Sequence, residues 1–118
     1  MSKVVAVVSD MIFQSKIAST ASAVGLSVVF VNSLESFREA TDDASPKGVL
    51  VDLEQNEQVV AGILELSQTL TPKPTVIGYC PHVRKDVMNL AEQMGFDHVF
   101  PRSAFATNLE KILRSFDD

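Results

Sequence analysis

Hydrophobic and polar positions along this chain switch repeatedly between two periods. Residues 3–8 (KVVAVV) are a continuous β-branched run of strand length, the pattern of a strand buried on both faces. Phe13, Ile17, Ala21 and Val24 then recur at helical spacing over residues 11–24, and Gly25 supplies a helix stop. SVVFV at 27–31 predicts a second strand. Asn32 reads as the cap of a second helix, with Glu35 three residues on and Leu34, Phe37 and Thr41 on one face. The polar stretch at 42–47 is a loop, and GVLVDL at 48–53 is a third strand. Val60, Ile63, Ser67 and Leu70 mark a third helix that ends before Pro72. TVIGY at 75–79 is a fourth strand. Val87, Leu90, Ala91 and Met94 mark a fourth helix closed by Gly95, and residues 98–100 are a short fifth strand. Thr107 with Glu110 reads as a capping box for a last helix carrying Leu109, Ile112, Leu113 and Phe116.

Five strands alternating with five helices predict an α/β fold, a parallel sheet with helices on both faces and right-handed crossovers. Residues 1–118 fit one domain with one core. Of the two common doubly wound orders, five strands suit 2-1-3-4-5, that of flavodoxin-like folds. The first and third strands are then neighbours, and the ligand crevice opens at their carboxyl ends. Asp10 follows the first apolar run and Asp52 ends the third, so both acids are expected to line that crevice. The ends of the fourth and fifth strands add Tyr79, Cys80, His82, Pro101 and Arg102 to the same edge.

Composition narrows the function classes. The chain is 46% hydrophobic and 21% charged, as ordinary soluble domains are. Its net charge of −5 argues against a nucleic-acid backbone as direct partner. The apolar runs fall far short of the roughly 20 residues of a membrane helix. MSKVV enters the first strand without the separate regions of a signal peptide. A single cysteine, Cys80, allows no internal disulfide and fits the cytoplasm.

The turn SDMIFQS holds no glycine, which excludes a Rossmann fingerprint, a P-loop and a flavodoxin-type flavin loop. Two acids at one crevice can instead hold Mg²⁺ beside a phosphoryl oxygen, and one acid can serve as nucleophile in forming an aspartyl phosphate.

These residues resemble the response-regulator receiver (CheY-like) family, and the resemblance runs from Lys3 to Phe116. In that family the phosphoacceptor aspartate ends the third strand, where Asp52 stands. An acid pair ends the first strand, matched here by Ser9-Asp10. The resemblance therefore implies a Mg²⁺ site of Asp10, Asp52 and the main-chain carbonyl of Glu54, with Ser9 acting through a water. A Thr or Ser ends the family's fourth strand, and the register gives Cys80. A Lys-Pro pair with a cis bond follows its fifth strand, and counting from the turn Gly95-Phe96-Asp97 gives Arg102-Ser103. Cys80 and Arg102 thus fall at the phosphoryl-contact positions, and Val99 replaces the switch aromatic.

Each departure has a physical meaning. A thiol donates a weaker hydrogen bond than a hydroxyl. A planar guanidinium does not meet a single oxygen as an ammonium does. Ser103 cannot hold a cis bond cheaply, so that loop is expected to be rebuilt with Pro101 before the basic residue. Val99 has no ring to rotate.

Three readings stay open. The four departures favour a divergent receiver-like module, not an enzyme, that acts through protein–protein contacts. The alternative is a stand-alone regulator phosphorylated on Asp52 by a histidine kinase. No DNA-binding or catalytic segment lies within these residues, so its output too is expected to be protein binding. The third is a small thiol-based sensor or enzyme using Cys80 with Arg102. The family's usual partner face would present Asp86, Asn89, Val99 and Phe100 on helix 4, strand 5 and helix 5, which could also support a homodimer. Plainer roles compete at every position. Asp10 is a natural helix cap and Asp52 a natural turn cap. Cys80 suits a small apolar core residue, Tyr79 and Phe100 suit the core, and Arg84-Lys85 suits a solvated helix start. His82 and His98 match no zinc spacing.

Overall fold

The computed structural model describes residues 3–116. The elements follow in strict alternation: β1 (Lys3–Val7), α1 (Met11–Ala23), β2 (Ser27–Val31), α2 (Leu34–Thr41), β3 (Gly48–Asp52), α3 (Glu57–Thr69), β4 (Thr75–Cys80), α4 (Lys85–Met94) and β5 (His98–Pro101), then two consecutive helices, α5 (Arg102–Thr107) and α6 (Leu109–Arg114). The strands form one all-parallel sheet in the order β2-β1-β3-β4-β5. This is the order expected from the alternation.

The pleat divides the strand residues between two cores. Val4, Ala6, Leu50, Ile77 and Tyr79 face α1, α5 and α6, where they meet Phe13, Ile17, Phe105, Leu109 and Leu113. Val5, Val7, Val49, Val51, Val76 and Cys80 face α2, α3 and α4, where they meet Phe37, Val60, Ile63 and Ala91. The central strands β1 and β3 are covered on both sides, which is why they read as unbroken apolar runs. Burying each such side chain contributes about 1.5–3 kcal/mol. Among the described residues no helix is long and apolar enough to cross a membrane.

Helix ends show where local chemistry outweighed the sequence pattern. α2 is capped by Ser33, one residue after the expected Asn32. The Ser33 hydroxyl accepts from the Ser36 amide at 3.0 Å and the Ser36 hydroxyl accepts from the Ser33 amide at 3.1 Å. This reciprocal box sets the first turn, and Glu35 plays no part in it. Gly25 (φ 80°) and Gly95 (φ 118°) end α1 and α4 in left-handed conformations that side chains avoid.

The largest correction is at the last helix. Helix begins at Arg102 directly after β5, and no side chain caps α6. Thr107 is the last residue of α5, and the chain breaks at Asn108, whose side-chain amide donates to the Ala104 carbonyl at 2.8 Å. Pro101 (φ −59°) already has helical φ, and Phe105 fills the core beside Tyr79, so the helix starts five residues before the expected Thr107. The expected rebuilt loop is thus a direct strand-to-helix junction. The single cis bond among the described residues is Thr71–Pro72, so the Arg102–Ser103 bond is trans.

Gly78 is the tightest point beneath the crevice. A methyl group there would come within 2.8 Å of the Leu53 side chain, which is buried and directly follows Asp52. Gly78→Ala is expected to cost about 1–3 kcal/mol by overpacking. Urea denaturation measures this, and an unchanged midpoint would show that Leu53 gives way freely.

Candidate functional site

The carboxyl ends of β1 and β3 carry the two acids. Asp10 caps α1: one carboxylate oxygen accepts from the Ile12 amide at 2.9 Å and from the Phe13 amide at 3.2 Å. Its other oxygen, Oδ2, accepts from Arg102 Nη2 at 2.7 Å. The plain role of Asp10 as a helix cap is therefore present, and its second oxygen is taken by an arginine. Arg102 reaches it because α5 begins at the very end of β5. The guanidinium carbon also stands 4.7 Å from the centre of the Phe13 ring, a cation–π contact. The hydrogen bond from Arg102, helped by the Phe13 amide, holds the Asp10 carboxyl below its usual range. The same bond raises Arg102.

Asp52 is in a different environment. It is half-buried, and one oxygen accepts from the Glu54 amide at 3.0 Å in a turn. Burial pushes its carboxyl up, while the Glu54 amide and the positive charge of Arg102 oppose that rise. The negative charge of Asp10 acts on it through space in the same direction as burial, with the smallest weight. The loop after Asp52 is tied down by Gln55, whose amide donates to the Val7 carbonyl at 2.6 Å and to the Asp52 carbonyl at 3.0 Å. Gln14 likewise donates to the Val8 carbonyl at 2.6 Å. Two glutamines thus occupy the last carbonyls before Ser9 and Asp10. Single polar residues in polar turns carry no periodic signal, so sequence reasoning missed both.

A second arginine borders the crevice. Arg84 crosses from the β4–α4 turn to Glu54 at 3.0 Å and also meets Asp86 at 3.4 Å. It is the solvated helix start expected, the exposed N-cap residue of α4, and it also bridges two turns. Glu54, expected to offer its carbonyl, has its carboxylate engaged by this arginine.

Cys80 is fully buried among the residues packed on α3 and α4, and its thiol donates to the Arg84 carbonyl at 3.8 Å. Burial, with Glu54 next in weight, pushes the thiol up, the opposite of a reactive cysteine. Ser9 is exposed, as are His82 and His98. Val99 and Phe100 are half-buried, packed against opposite cores.

Tyr79 pairs in register with Asp52. Its ring stacks on Phe105 with centroids 4.6 Å apart, and Phe13 lies 5.0 Å away. Its buried hydroxyl has no hydrogen-bond partner among the described residues. Burial and the negative charge of Asp52 push the phenol well above its usual value.

A magnesium ion fits this arrangement poorly. Asp10 has one oxygen on Arg102 and the other on two amides, and the position beside it is Ser9, which brings no charge. Among the described residues no group of three or more His, Cys, Asp or Glu side chains converges.

Comparison with known proteins rests on structure. No family model and no curated relative matches the chain. A response regulator from Thermotoga maritima superposes with a TM-score of 0.79 at 17% identity, covering 98% of this chain and 97% of that one. A response regulator from Hahella chejuensis gives 0.82 at 12% identity, covering 99% and 96%. The receiver domain of a sensor histidine kinase from Pseudomonas aeruginosa, solved with a magnesium ion in its active site cleft, gives 0.74 at 13% identity, covering 98% and 96%. The fold of this chain is the receiver fold.

Two outcomes are expected from these environments. A carboxyl raised by burial opposes folding only when ionised. Asp52→Asn should therefore stabilise the protein at pH 7, by about 2–5 °C in Tm. The gain should shrink as pH falls through the folded value and vanish below the ordinary value of 3.8. Paired thermal melts from pH 3 to 8 test this, and a gain that grows toward low pH would refute it. Tyr79→Phe removes a buried hydroxyl without a partner and should raise stability by about 1 kcal/mol in equilibrium denaturation. A loss of stability would show that the hydroxyl has found one.

Proposed function

We propose that this chain is a divergent receiver-like signalling module of the two-component type, with Asp52 in the phosphoacceptor position and its signal passed by protein–protein contact. One observation carries the reading: in a receiver fold, the acid expected to hold the metal is instead bound to Arg102 at 2.7 Å. The other departures point the same way. The Cys80 thiol is directed to the Arg84 carbonyl inside the fold. Arg102 is committed to Asp10 and Phe13 rather than held free as a lysine-like phosphoryl contact.

Partners on this reading are a histidine kinase or another signalling protein in the cytoplasm. The α4–β5–α5 face, which could also pair two copies, offers exposed Asp86, Asn89 and Leu90 beside half-buried Val99 and Phe100. Leu90 is 48% exposed, and it lines an apolar groove of about 310 Å³ between α3 and α4 with Val60, Ala61, Val87 and Met94.

A phosphorylation-competent regulator is the second reading, favoured by the half-buried Asp52 at the end of β3. Its carboxylate has one oxygen on the Glu54 amide and no ion pair among the described residues. The thiol reading loses support from the burial and raised pKa of Cys80.

Titration with beryllofluoride and Mg²⁺, followed by amide NMR, separates the first two readings. The divergent module should show no saturable shift around Asp52 at millimolar ligand. A saturable shift that disappears in Asp52→Asn would establish the phosphorylation-competent regulator instead.

A further inference from the structure

Arg102 is held from three directions. Its Nη2 lies 2.7 Å from Asp10 Oδ2, the guanidinium plane lies over Phe13 at 4.7 Å, and its backbone is the first residue of α5, locked to the end of β5. Phe13 is itself fixed in the core against Tyr79 and Phe105. Hence the guanidinium of this side chain, 40% exposed, sits at the mouth of the crevice with two contacts that orient it.

We infer that Arg102 is the resident cation of this crevice, standing where a divalent metal would bind and excluding it by occupying Asp10. The inference deepens the signalling reading above and rests on it only for the meaning of Asp52. Charge balance supports it. A divalent ion such as Mg²⁺ draws its protein charge from one or two carboxylates, with waters filling the rest of its shell. Ser9 contributes none, so Asp10 and Asp52 are the whole supply at the two strand ends. Asp10 is neutralised by Arg102, which leaves one carboxylate, Asp52. That carboxylate is half-buried and lies within the field of the same guanidinium. Glu54, the next acid along, already has one carboxylate oxygen on Arg84 at 3.0 Å.

Metal and guanidinium therefore compete for one oxygen atom. If so, removing the guanidinium should create metal affinity that the natural chain lacks. Few substitutions that delete a side chain are expected to gain binding, which makes the outcome diagnostic.

Mn²⁺ is the probe, read by paramagnetic broadening of the amide signals of residues 7–10 and 52–54. The wild-type protein should need at least about tenfold more Mn²⁺ for half-broadening than Arg102→Gln, in line with ordinary coupling between competing ligands. Gln is shorter but keeps part of the aliphatic stem and a planar uncharged end, so it carries the test should Arg102→Ala fail to fold. The gain should disappear in the double variant Arg102→Gln/Asp10→Asn. Equal Mn²⁺ dependence in wild type and Arg102→Gln overturns the inference, and so does a gain that survives in the double variant. This test is separable from the previous one. Beryllofluoride captured by Asp52 without any metal would refute the loss of phosphoryl chemistry while leaving Arg102 in the role assigned to it. Tight Mn²⁺ binding by the wild type would do the reverse.

Discussion

A parallel sheet covered by helices on both faces confines ionisable groups to the ends of its strands. The buried strand side chains here feed two apolar cores, and a charge placed there would lose its hydration with nothing to replace it. The carboxyl ends are the exit from that constraint, because the chain turns away there and helix amides become available. Asp10 follows the end of β1 and Asp52 ends β3, two neighbouring interior strands of the sheet. Their behaviour then follows from how much solvation each regains: Asp10 recovers it from two amides and a guanidinium, and Asp52 from a single amide. That difference is why one carboxyl is lowered and the other raised within the same crevice.

The aromatic cluster beneath the crevice belongs to the same arrangement. Phe13, Tyr79 and Phe105 come from α1, β4 and α5, and their contacts fix how those elements meet. Phe13 follows the cap of α1 by three residues, so the bonds that hold Asp10 also set the height of the ring that Arg102 covers. Placing Phe105 against Tyr79 requires the last helical segment to start close to β5. This brings Arg102 to the crevice and makes the junction too short for a loop. The cation, the cap and the core thus meet at one point, through Phe13.

Much of the fold was legible because two periods carry it. Buried strands write unbroken apolar runs, helices write three-to-four spacings, and the strand order follows from five βα units. The strand-end acids were legible for the same reason, since a charge that terminates an apolar run interrupts a pattern. The pairing of Asp10 with Arg102 was not, because it joins residues 92 positions apart and leaves no trace in any window. Nor were the glutamine bonds to the Val7 and Val8 carbonyls, which depend on how two turns meet. The misplaced caps have a nearer cause. Asn32, Ser33 and Thr107 are all competent cap residues, and only the packing of Phe37 and Phe105 decides which turn comes first.

The choice of arginine over lysine at position 102 follows from what the site asks of the cation. A lysine ammonium is a compact point charge that carries strong hydration and would present one end to the crevice. A guanidinium has an edge for hydrogen bonds and a face for a ring. Here the edge serves Asp10 while the face serves Phe13, so one group closes the electrostatic and the apolar side together. Such a group is costly to move, because releasing Asp10 also uncovers Phe13. A metal ion or a phosphoryl group arriving at Asp52 would have to disturb both contacts. Beside uncharged Ser9, a single guanidinium balances Asp10, and Asp52 is left with one amide and no ion pair among the described residues.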